Sequence, residues 1–264
     1  MKKISVEFLI TAFLFIGIWF GFSQINWISL FNVNEISQKT EEKLGELTWE
    51  YLSNSENEID DEDIFKSVDS LLQHLSEFNS LDNQKIKLHI VNSNDINTFA
   101  LPDGHLVLNS QLIIECKNQE ELLGVIAHEL AHIHLNHIIK KIAKEIGLAV
   151  VITATTGNSE IVGEIAHTLS STAFSRIDEE EADLQAVLYL EKGNIDPVPF
   201  SDFLFRLSNE NDTPKYMSWL STHPDSKDRA QYVNDKISSY KSDYKKVINP
   251  KTFENIQVKL SNLE

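Results

Sequence analysis

The pattern His128-Glu-Leu-Ala-His132 constrains the fold of this chain more than any other feature of its sequence. Two histidines four residues apart lie on one face of an α-helix, where both rings can reach the same metal ion. The preceding residues, 122–127, are apolar, so the helix is predicted to be buried. Because buried histidines need polar partners, we expect a metal-binding helix; a helix with two core or solvated histidines is the alternative.

Glu129 lies beside the two rings, where a carboxylate can act as the base for an attacking water. A catalytic Zn²⁺ site takes a third protein ligand and leaves one position open. Glu179 and Asp183 are four residues apart and share a helix face. Glu179 can therefore bind the metal while Asp183 accepts a hydrogen bond from a ligand histidine. From the residues alone, Glu180 and Glu181 remain rival ligands, and a solvated acidic helix start is an equal alternative.

Residues 1–31 are predicted to be a membrane anchor or a signal segment. The stretch 4–22 (22 − 4 + 1 = 19 residues) is predominantly apolar, and at about 1.5 Å per residue it spans roughly 28 Å, close to the thickness of a hydrocarbon core. Lys2 and Lys3 precede it and no basic residue follows closely, which predicts a cytoplasmic N-terminus and an exported domain. A signal peptide cleaved near Ser23 is the alternative.

Residues 32–264 are predicted to form one α+β domain, mostly helical, with a small β-sheet beside the cleft. Apolar residues at helical or alternating spacing carry these assignments. Helices are expected over residues 35–53, 61–78, 146–156, 161–173, 176–191, 197–207 and 225–240, with a long helix from about residue 118, and strands are expected over 85–91 and 105–108. The short apolar stretch 146–156 is interpreted as a buried helix because it is too short to span a membrane.

The charge and cysteine content exclude several classes of protein. With 23 basic and 40 acidic residues, the net charge is −17, which argues against a nucleic-acid partner. Cys116 is the single cysteine, so an internal disulfide framework and a cysteine-rich zinc module are both excluded.

Further motifs resemble a known family when taken in order from about residue 41 to 232. They are Ile96-Asn-Thr-Phe-Ala-Leu-Pro-Asp-Gly-His-Leu-Val107, His132-x-x-x-x-His137, Ser175-Arg-x-x-Glu-x-Glu-Ala-Asp183 and Thr222-His-Pro-Asp-Ser-Lys-Asp-Arg229. Together with the central pattern they resemble the forty-eighth metallopeptidase family, membrane-associated gluzincins that include HtpX, BepA, Oma-type and CAAX prenyl endoproteases. Thr98 and Asp103 depart from the family pattern at two usually small positions.

The resemblance implies a role for each residue of the motifs. Glu179 is the implied third ligand, Asp183 braces a ligand histidine, and Glu129 is the general base. His137 lies nine residues after His128, about 180° around a continuous helix, so we expect it to point away from the metal and to be structural. The same structural interpretation applies to His89, His105, His134 and His167.

The resemblance also places His223 near the active site, as an oxyanion donor or as a cap on the zinc of a resting enzyme. A structural histidine at a helix entry is the alternative. The strand formed by His105, Leu106, Val107 and Leu108 is interpreted as the edge of the cleft, where an extended substrate pairs through backbone hydrogen bonds.

The implied function is a zinc endopeptidase with one Zn²⁺ per chain. Its substrates are expected to be extended segments of unfolded or misassembled proteins of a bacterial envelope. The domain is expected in the periplasm, anchored to the inner membrane or free after cleavage. A chaperone-like zinc protein with a closed, inactive site is the alternative, against which the intact Glu129 argues. A prenyl-peptide protease within the bilayer needs several spanning helices, and this sequence offers one.

Overall fold

The computed structural model describes residues 8, 13–17, 37–81, 85–209, 216–224, 226–237 and 243–263. The chain divides into two compact units, Met1–Ile36 and Ser37–Glu264. In the first unit, Phe8 and residues 13–17 are helical and exposed. The predicted anchor or signal segment, residues 1–31, otherwise lies outside the described residues. No helix among those residues is long and apolar enough to cross a bilayer.

The second unit is mostly helical with one small sheet, as predicted for an α+β domain. Its helices are α1 (Gln38–Ser53), α2 (Glu62–Asn79), α3 (Ser110–Glu115), α4 (Gln119–His134), α5 (His137–Ile142), α6 (Leu148–Ala154), α7 (Ser159–Ser171), α8 (Arg176–Lys192), α9 (Val198–Asn209), α10 (Met217–Thr222), α11 (Ser226–Lys236) and α12 (Pro250–Ser261). Its strands are β1 (Lys87–Val91), β2 (Thr98–Leu101) and β3 (His105–Asn109).

Helix α4, which carries the histidine pair, begins where the sequence predicts. The Asn118 side chain accepts a hydrogen bond from the backbone of Glu121 at 2.9 Å, and the Glu121 carboxylate accepts one from the backbone of Lys117 at 2.8 Å. These bonds satisfy amide groups that the first turn of a helix leaves unpaired. Glu121 also accepts two hydrogen bonds from Arg206 of α9, at 2.8 and 2.7 Å. The start of α4 is therefore fixed to a neighbouring helix.

The core surrounds α4 on all sides. Every residue from Gln119 to His132 is buried, with α8 packed along one side and α9 along another. Gly124 permits the close approach of α9, since a Cβ atom there would lie 2.4 Å from the Cβ of Phe200. A helix enclosed in this way holds the side chains of its metal-binding face in fixed positions.

Two of the predicted helices differ from their predictions. The stretch 146–156 is helical, as α6, but it is only half-buried, because Val151 faces the protein while 55% of Ile152 is exposed. A π-helical turn, Ala143–Gly147, precedes it. The last predicted helix, 225–240, is observed as α11 and ends at Lys236; residues 238–242 lie outside the described residues.

The sheet corrects the predicted substrate edge. Its strand order is β1-β3-β2, with β1 parallel and β2 antiparallel to β3. The strand of His105, Leu106, Val107 and Leu108 is therefore central, and the prediction that it forms the edge is wrong. The sequence suggested a single strand here because the four residues of β2 are all buried and show no alternation. A strand paired on both sides has no backbone groups left for a substrate.

The two outer strands differ in what lies beside them. Beside β1, the backbone of Ile59 donates to the carbonyl oxygen of Ile90, and that of Asn92 donates to the carbonyl oxygen of Asn57, both at 2.8 Å. Within the described residues, β2 has no second strand on its outer side. Its outer edge is therefore not paired with another strand in the part of the chain that the structure describes, although all four of its residues are buried.

A row of polar side chains lies on the sheet face opposite the main core. The Lys87 ammonium lies 3.3 Å from Nε2 of His105, Nδ1 of His105 lies 2.9 Å from Nε2 of His89, and Nδ1 of His89 lies 2.9 Å from Glu58. Since an ammonium only donates, each imidazole in this row accepts at one nitrogen and donates at the other. Trp49 of α1 stacks on His89 at a centroid distance of 3.6 Å. The neutral imidazoles of His89 and His105 therefore lie beneath α1.

This row makes the domain sensitive to acid. Burial, followed by the charge of Lys87, lowers the pKa of His105 to about 3, whereas the unfolded chain takes up that proton near pH 6.5. The contribution of neutral His105 to the free energy of unfolding is therefore fully present above pH 6.5. It is lost as the pH falls toward 3, by up to about 1.4 kcal/mol per pH unit. We expect His105→Gln to flatten the pH dependence of the free energy of unfolding between pH 7 and 5, measured by urea titration. The exposed His167→Gln is the control, and equal pH slopes in both variants would contradict this assignment.

Candidate metal centre

The three side chains predicted to be ligands converge between α4 and α8. Nε2 of His128 and Nε2 of His132 lie 3.0 Å apart. From α8, the Glu179 carboxylate oxygens lie 3.3 Å from Nε2 of His132 and 3.7 Å from Nε2 of His128. The rival Glu180 is exposed, and the rival Glu181 faces His137. Among these glutamates, Glu179 is the one that the structure brings to the histidine pair.

Asp183 holds the ring of His128 from behind. Its Oδ1 lies 2.8 Å from Nδ1 of His128, and both side chains are completely buried. Nδ1 thus faces the carboxylate as an ion-pair contact, and Nε2 is directed toward Glu179 and His132. Asp183 also accepts a hydrogen bond from the Tyr232 hydroxyl at 2.7 Å, so the carboxylate is fixed in turn by α11.

Arg229 of α11 is a part of the site to which sequence reasoning gave no role. Its Nε and Nη2 each donate to Asp183 at 2.8 Å, and its Nη1 lies 2.5 Å from Glu179. Burial opposes the charge of Glu179, but Arg229 and then His223 hold the pKa of this carboxyl well below its usual value. Two buried carboxylates require a buried cation, and Arg229, which ends the motif at residues 222–229, supplies it.

Glu129 lies next to the ligands without joining them. It is completely buried, and neither carboxylate oxygen accepts a hydrogen bond from the described residues. Nε2 of His223 approaches Oε1 to 3.3 Å. Burial, with the charge of Glu179 as the next cause, raises the pKa of the Glu129 carboxyl well above its usual value. A carboxylate in this state is a stronger proton acceptor than one in water.

His223 lies inside the cluster of ligand atoms. Its Nδ1 is 3.1 Å from Oε1 of Glu179 and 3.3 Å from Nε2 of His128. The residue follows α10, and its backbone N–H donates to the carbonyl oxygen of Trp219 at 2.8 Å. Burial lowers the pKa of His223 to about 4, so the ring is neutral and offers a lone pair at neutral pH.

Aromatic rings close the site from the side of α10. The ring of Phe174 stacks on His132 at a centroid distance of 4.0 Å, and that of Trp219 lies 4.5 Å from His223. The backbone N–H of Phe174 donates to the carbonyl oxygen of Thr222 at 3.2 Å, which connects the segment before α8 to the end of α10. The side chains that meet at the site are at most 2% exposed, namely His128, His132, Glu179 and His223. The structure is therefore a closed conformation of the site.

The predicted orientation of His137 is wrong. The calculation of 180° assumed one continuous helix, but α4 ends at His134 and the backbone of Asn136 adopts a left-handed conformation, with φ of 57°. His137 thereby begins α5, and its Nδ1 lies 3.1 Å from Nδ1 of His132. It is not among the cluster of ligand atoms, but it contacts one of the ligands directly.

The residues present fit a metal ion. Ligand atoms of His128, His132, Glu179 and His223 all lie within 4.8 Å of one another. Burial lowers the pKa of His132 well below its usual value, so neutral imidazole lone pairs face one another in a space without solvent. Such an arrangement is unfavourable unless a cation lies between them. Two imidazoles and a carboxylate are the donor set of a catalytic zinc site.

Comparison with known proteins places this site in a family. The model of peptidase family M48 matches residues 63–237, a range that includes the histidine pair, both acidic residues of α8, His223 and Arg229. The chain belongs to peptidase family M48. Membership in the family confirms the resemblance and the enzyme class that the sequence predicts, a metallopeptidase.

Relatives of the chain within the family come from bacteria and from mitochondria. It is 26% identical to the mitochondrial metalloendopeptidase OMA1 of Schizosaccharomyces pombe over 64% of this chain and 51% of that protein. It is also 26% identical to the beta-barrel assembly-enhancing protease of Yersinia pestis, over 59% of this chain and 37% of that protein. The identity to the metalloprotease LoiP of Escherichia coli K12 is 26% as well, over 61% of this chain and 66% of that protein. The chain thus matches between about a third and two thirds of the length of these relatives.

Proposed function

We propose that the chain is a zinc-dependent endopeptidase that cleaves extended segments of unfolded or misassembled envelope proteins. The observation that carries this proposal is the placement of Glu129, a buried carboxylate that accepts no hydrogen bond from the described residues, beside the convergent side chains of His128, His132 and Glu179. A site that only binds metal has no use for this carboxylate.

In the proposed site, His128, His132 and Glu179 hold the ion. Bound Zn²⁺ supplies two kinds of chemistry, since it lowers the pKa of a water molecule toward 7 and polarises the scissile carbonyl. The protein's own contribution is the orientation of the ligand rings, by Asp183 for His128, and the exclusion of bulk solvent. Arg229 keeps Glu179 ionised and therefore able to bind a cation.

Proton transfer falls to Glu129. Its carboxylate accepts a proton from the attacking water and later donates that proton to the leaving amine. The raised pKa of this group favours the first step, because a carboxylate that burial disfavours is a stronger proton acceptor. No other carboxylate among the described residues lies beside the ligands without a hydrogen-bond partner.

For the substrate we propose pairing with β2 instead of the central strand. The residue before β2, Asn97, accepts a hydrogen bond at 3.3 Å from Thr222, which directly precedes His223. The edge of the sheet thus runs beside the closed site. Backbone pairing of this kind recognises extended chain and gives little sequence specificity, which suits unfolded or misassembled substrates.

Burial of the whole site favours one alternative function, a zinc-binding chaperone whose site stays closed. The proposed enzyme must instead open, and we propose that the backbone hydrogen bond between Phe174 and Thr222 is one of the contacts that break. A cleavage assay with casein and a short peptide separates the two functions. We expect chelator-sensitive hydrolysis that returns with added Zn²⁺; bound zinc without hydrolysis at any enzyme concentration would support the chaperone.

We propose that His223 caps the metal in the closed conformation, because its Nδ1 lies among the other ligand atoms. His223→Ala is then expected to raise basal hydrolysis of a short peptide, since the open position becomes free for water. Steady-state kinetics and melting temperature should be measured together. A rate lowered by about 10²–10³-fold with unchanged KM would instead identify an oxyanion donor, and a lower melting temperature alone would identify a structural histidine.

The proposed envelope location rests on two findings. Several relatives carry the name beta-barrel assembly-enhancing protease, and an apolar stretch follows two lysines at the start of the chain. Membrane fractionation combined with N-terminal sequencing of the mature protein tests this proposal. A start at Met1 in the membrane fraction would indicate an anchor, a start near Ser23 would indicate a cleaved signal, and recovery from the cytoplasm would contradict an envelope location.

A further inference from the structure

We propose that His137 is a positioning residue for the metal ligand His132, and that the carboxylate of Glu181, with that of Asp178 behind it, holds His137 in the orientation that this role requires. The inference rests on the proposed metal centre and deepens it. It assigns a function to a buried histidine that the ligand set and the proton-transfer step both leave unused.

The contact between the two rings is direct and buried. Nδ1 of His137 lies 3.1 Å from Nδ1 of His132, and the rings meet edge to face with an interplanar angle of 69°. Both side chains are completely buried. Two ring nitrogens at this distance share one hydrogen, with one ring donating and the other accepting.

Binding of a metal decides which ring donates. His132 presents Nε2 to the other ligands, at 3.0 Å from Nε2 of His128, so a bound cation takes the Nε2 lone pair and the hydrogen of a neutral ring is on Nδ1. That Nδ1–H donates to Nδ1 of His137. His137 consequently carries its own hydrogen on Nε2, on the far side of the ring.

The far side of His137 faces two carboxylates from the start of α8. Its Nε2 lies 3.2 Å from Oε2 of Glu181 and 3.8 Å from Oδ1 of Asp178. Glu181 accepts the Nε2 hydrogen, and Asp178 adds negative charge beside it. A continuous series of hydrogen bonds results, in which His132 donates to His137 and His137 donates to Glu181. It fixes the ring of His132 and raises its strength as a ligand.

The two ligand histidines are thus held by different means. Asp183 holds His128 directly and is itself completely buried, whereas His132 is held through a second imidazole that leads to the surface, where the Glu181 side chain is 56% exposed. Phe174 stacks on the face of His132, so the Nδ1 edge is where a hydrogen-bond partner reaches this ring. The break in the helix at Asn136 places that partner there.

The same three side chains also resemble a second cation site. One ligand atom each from His137, Asp178 and Glu181 lies within 4.8 Å of the others. A cation on Nε2 of His137 would force the hydrogen of that ring onto Nδ1, where it would face the Nδ1–H of a metal-bound His132. Since two N–H groups cannot bond to each other, occupation of the two sites is mutually unfavourable. We therefore favour the positioning role, and a second bound cation becomes an outcome of the test.

The test is a zinc-affinity measurement on the full chain, by competition with a chelator, in three variants and a control. His137→Leu keeps a similar volume without an acceptor, and we expect it to bind zinc about 10–100-fold more weakly. His137→Asn keeps an acceptor oxygen near the Nδ1 position and is expected to recover most of that affinity. Glu181→Gln, on the surface, should cause a smaller loss, and the adjacent Glu180→Gln should cause none.

A second measurement separates positioning from stability. The melting temperature of the metal-free protein is recorded for each variant, and cobalt is substituted for zinc so that the ligand-field absorption of the site can be compared. We expect the cobalt spectrum to change in His137→Leu and to return toward that of the unmodified protein in His137→Asn. The proposal would be overturned if both variants lost zinc affinity equally and only in proportion to the fall in their melting temperatures.

Three other results would also overturn it: unchanged zinc affinity in His137→Leu, a second equivalent of zinc lost on replacing His137, or an unmodified chain that binds no zinc. The proposed function fails separately. If the unmodified chain binds one zinc, shows the expected order of affinities and hydrolyses no peptide, the endopeptidase proposal is wrong while the role of His137 stands.

Discussion

Replacing Glu129 by Gln is expected to lower peptide hydrolysis by about 10²–10⁴-fold, the range attributed to a positioned general acid or base. Gln has the shape of Glu but cannot accept the proton of the attacking water. Zinc should remain bound, because the proposed ligands are His128, His132 and Glu179. Metal content and kcat/KM should be measured on the same preparation of protein.

The surroundings of Glu129 add a second expectation for this variant. The carboxyl group is completely buried and has no hydrogen-bond donor among the described residues. A neutral amide removes the cost of a buried charge, so the melting temperature of the metal-free variant should not fall. Glu180→Gln, which removes an exposed carboxylate, is the matched control. Near-normal turnover of the Glu129 variant would remove Glu129 from the role of base.

Glu179→Ala is expected to cause the largest loss of metal affinity among the acidic residues of α8. Removal of this proposed ligand leaves imidazole donors alone, and we expect a loss beyond the 10–100-fold that is typical when a residue behind a ligand is changed. Asp183→Asn should fall within that range, and Glu180→Ala should match the unmodified chain. Chelator titration with a zinc-sensitive dye measures all three.

Stability must be followed in the same series, because Glu179 has a second partner. Its carboxylate lies 2.5 Å from Nη1 of Arg229, and removing one member of a buried ion pair costs about 3–5 kcal/mol. Glu179→Gln, which preserves the shape, separates lost ligation from lost packing. If the titration shows that Glu180 or Glu181 contributes more affinity than Glu179, then our assignment of the third ligand is wrong.

Local patterns predicted most of the helices. The expected segments 61–78 and 176–191 correspond to Glu62–Asn79 and Arg176–Lys192, because apolar residues recur at helical spacing and a side chain caps each start. Asp61 accepts hydrogen bonds from two backbone amides of α2, and Ser175 accepts one in α8. These interactions involve residues that are neighbours in sequence, so a single chain carries the information.

The pairing of strands required information that local patterns do not contain. The four residues of β2 are buried on both faces, so they lack the alternation that identified β1. Whether β3 is central or at an edge depends on contacts between segments that are far apart in the sequence. The sequence therefore predicted a strand at residues 105–108 but placed it at an edge, whereas it is the central strand of the sheet.

The error at His137 has a different origin, the end of a helix. Counting 100° per residue holds only while the helix continues, and Asn136 interrupts it with a positive φ. Asn is one of the residues that tolerate this conformation at the end of a helix, so the signal was present in the sequence. The hydrogen bonds of Arg229 and Tyr232 with Asp183 join residues about fifty positions apart, and no periodic pattern indicates them.

The position of Arg229 along the chain has a consequence for synthesis. Arg229 is added 46 residues after Asp183, and Asp183 in turn follows His128 by 55 residues. Until Arg229 leaves the ribosome, Glu179 and Asp183 lack their buried cation, so α8 cannot pack against α4 with both carboxylates ionised. Assembly of the centre thus depends on a residue that follows all of its proposed ligands in the sequence. A chain that ends before Arg229 carries the histidine pair and both carboxylates without their buried cation, so we expect it to leave the metal centre unfinished.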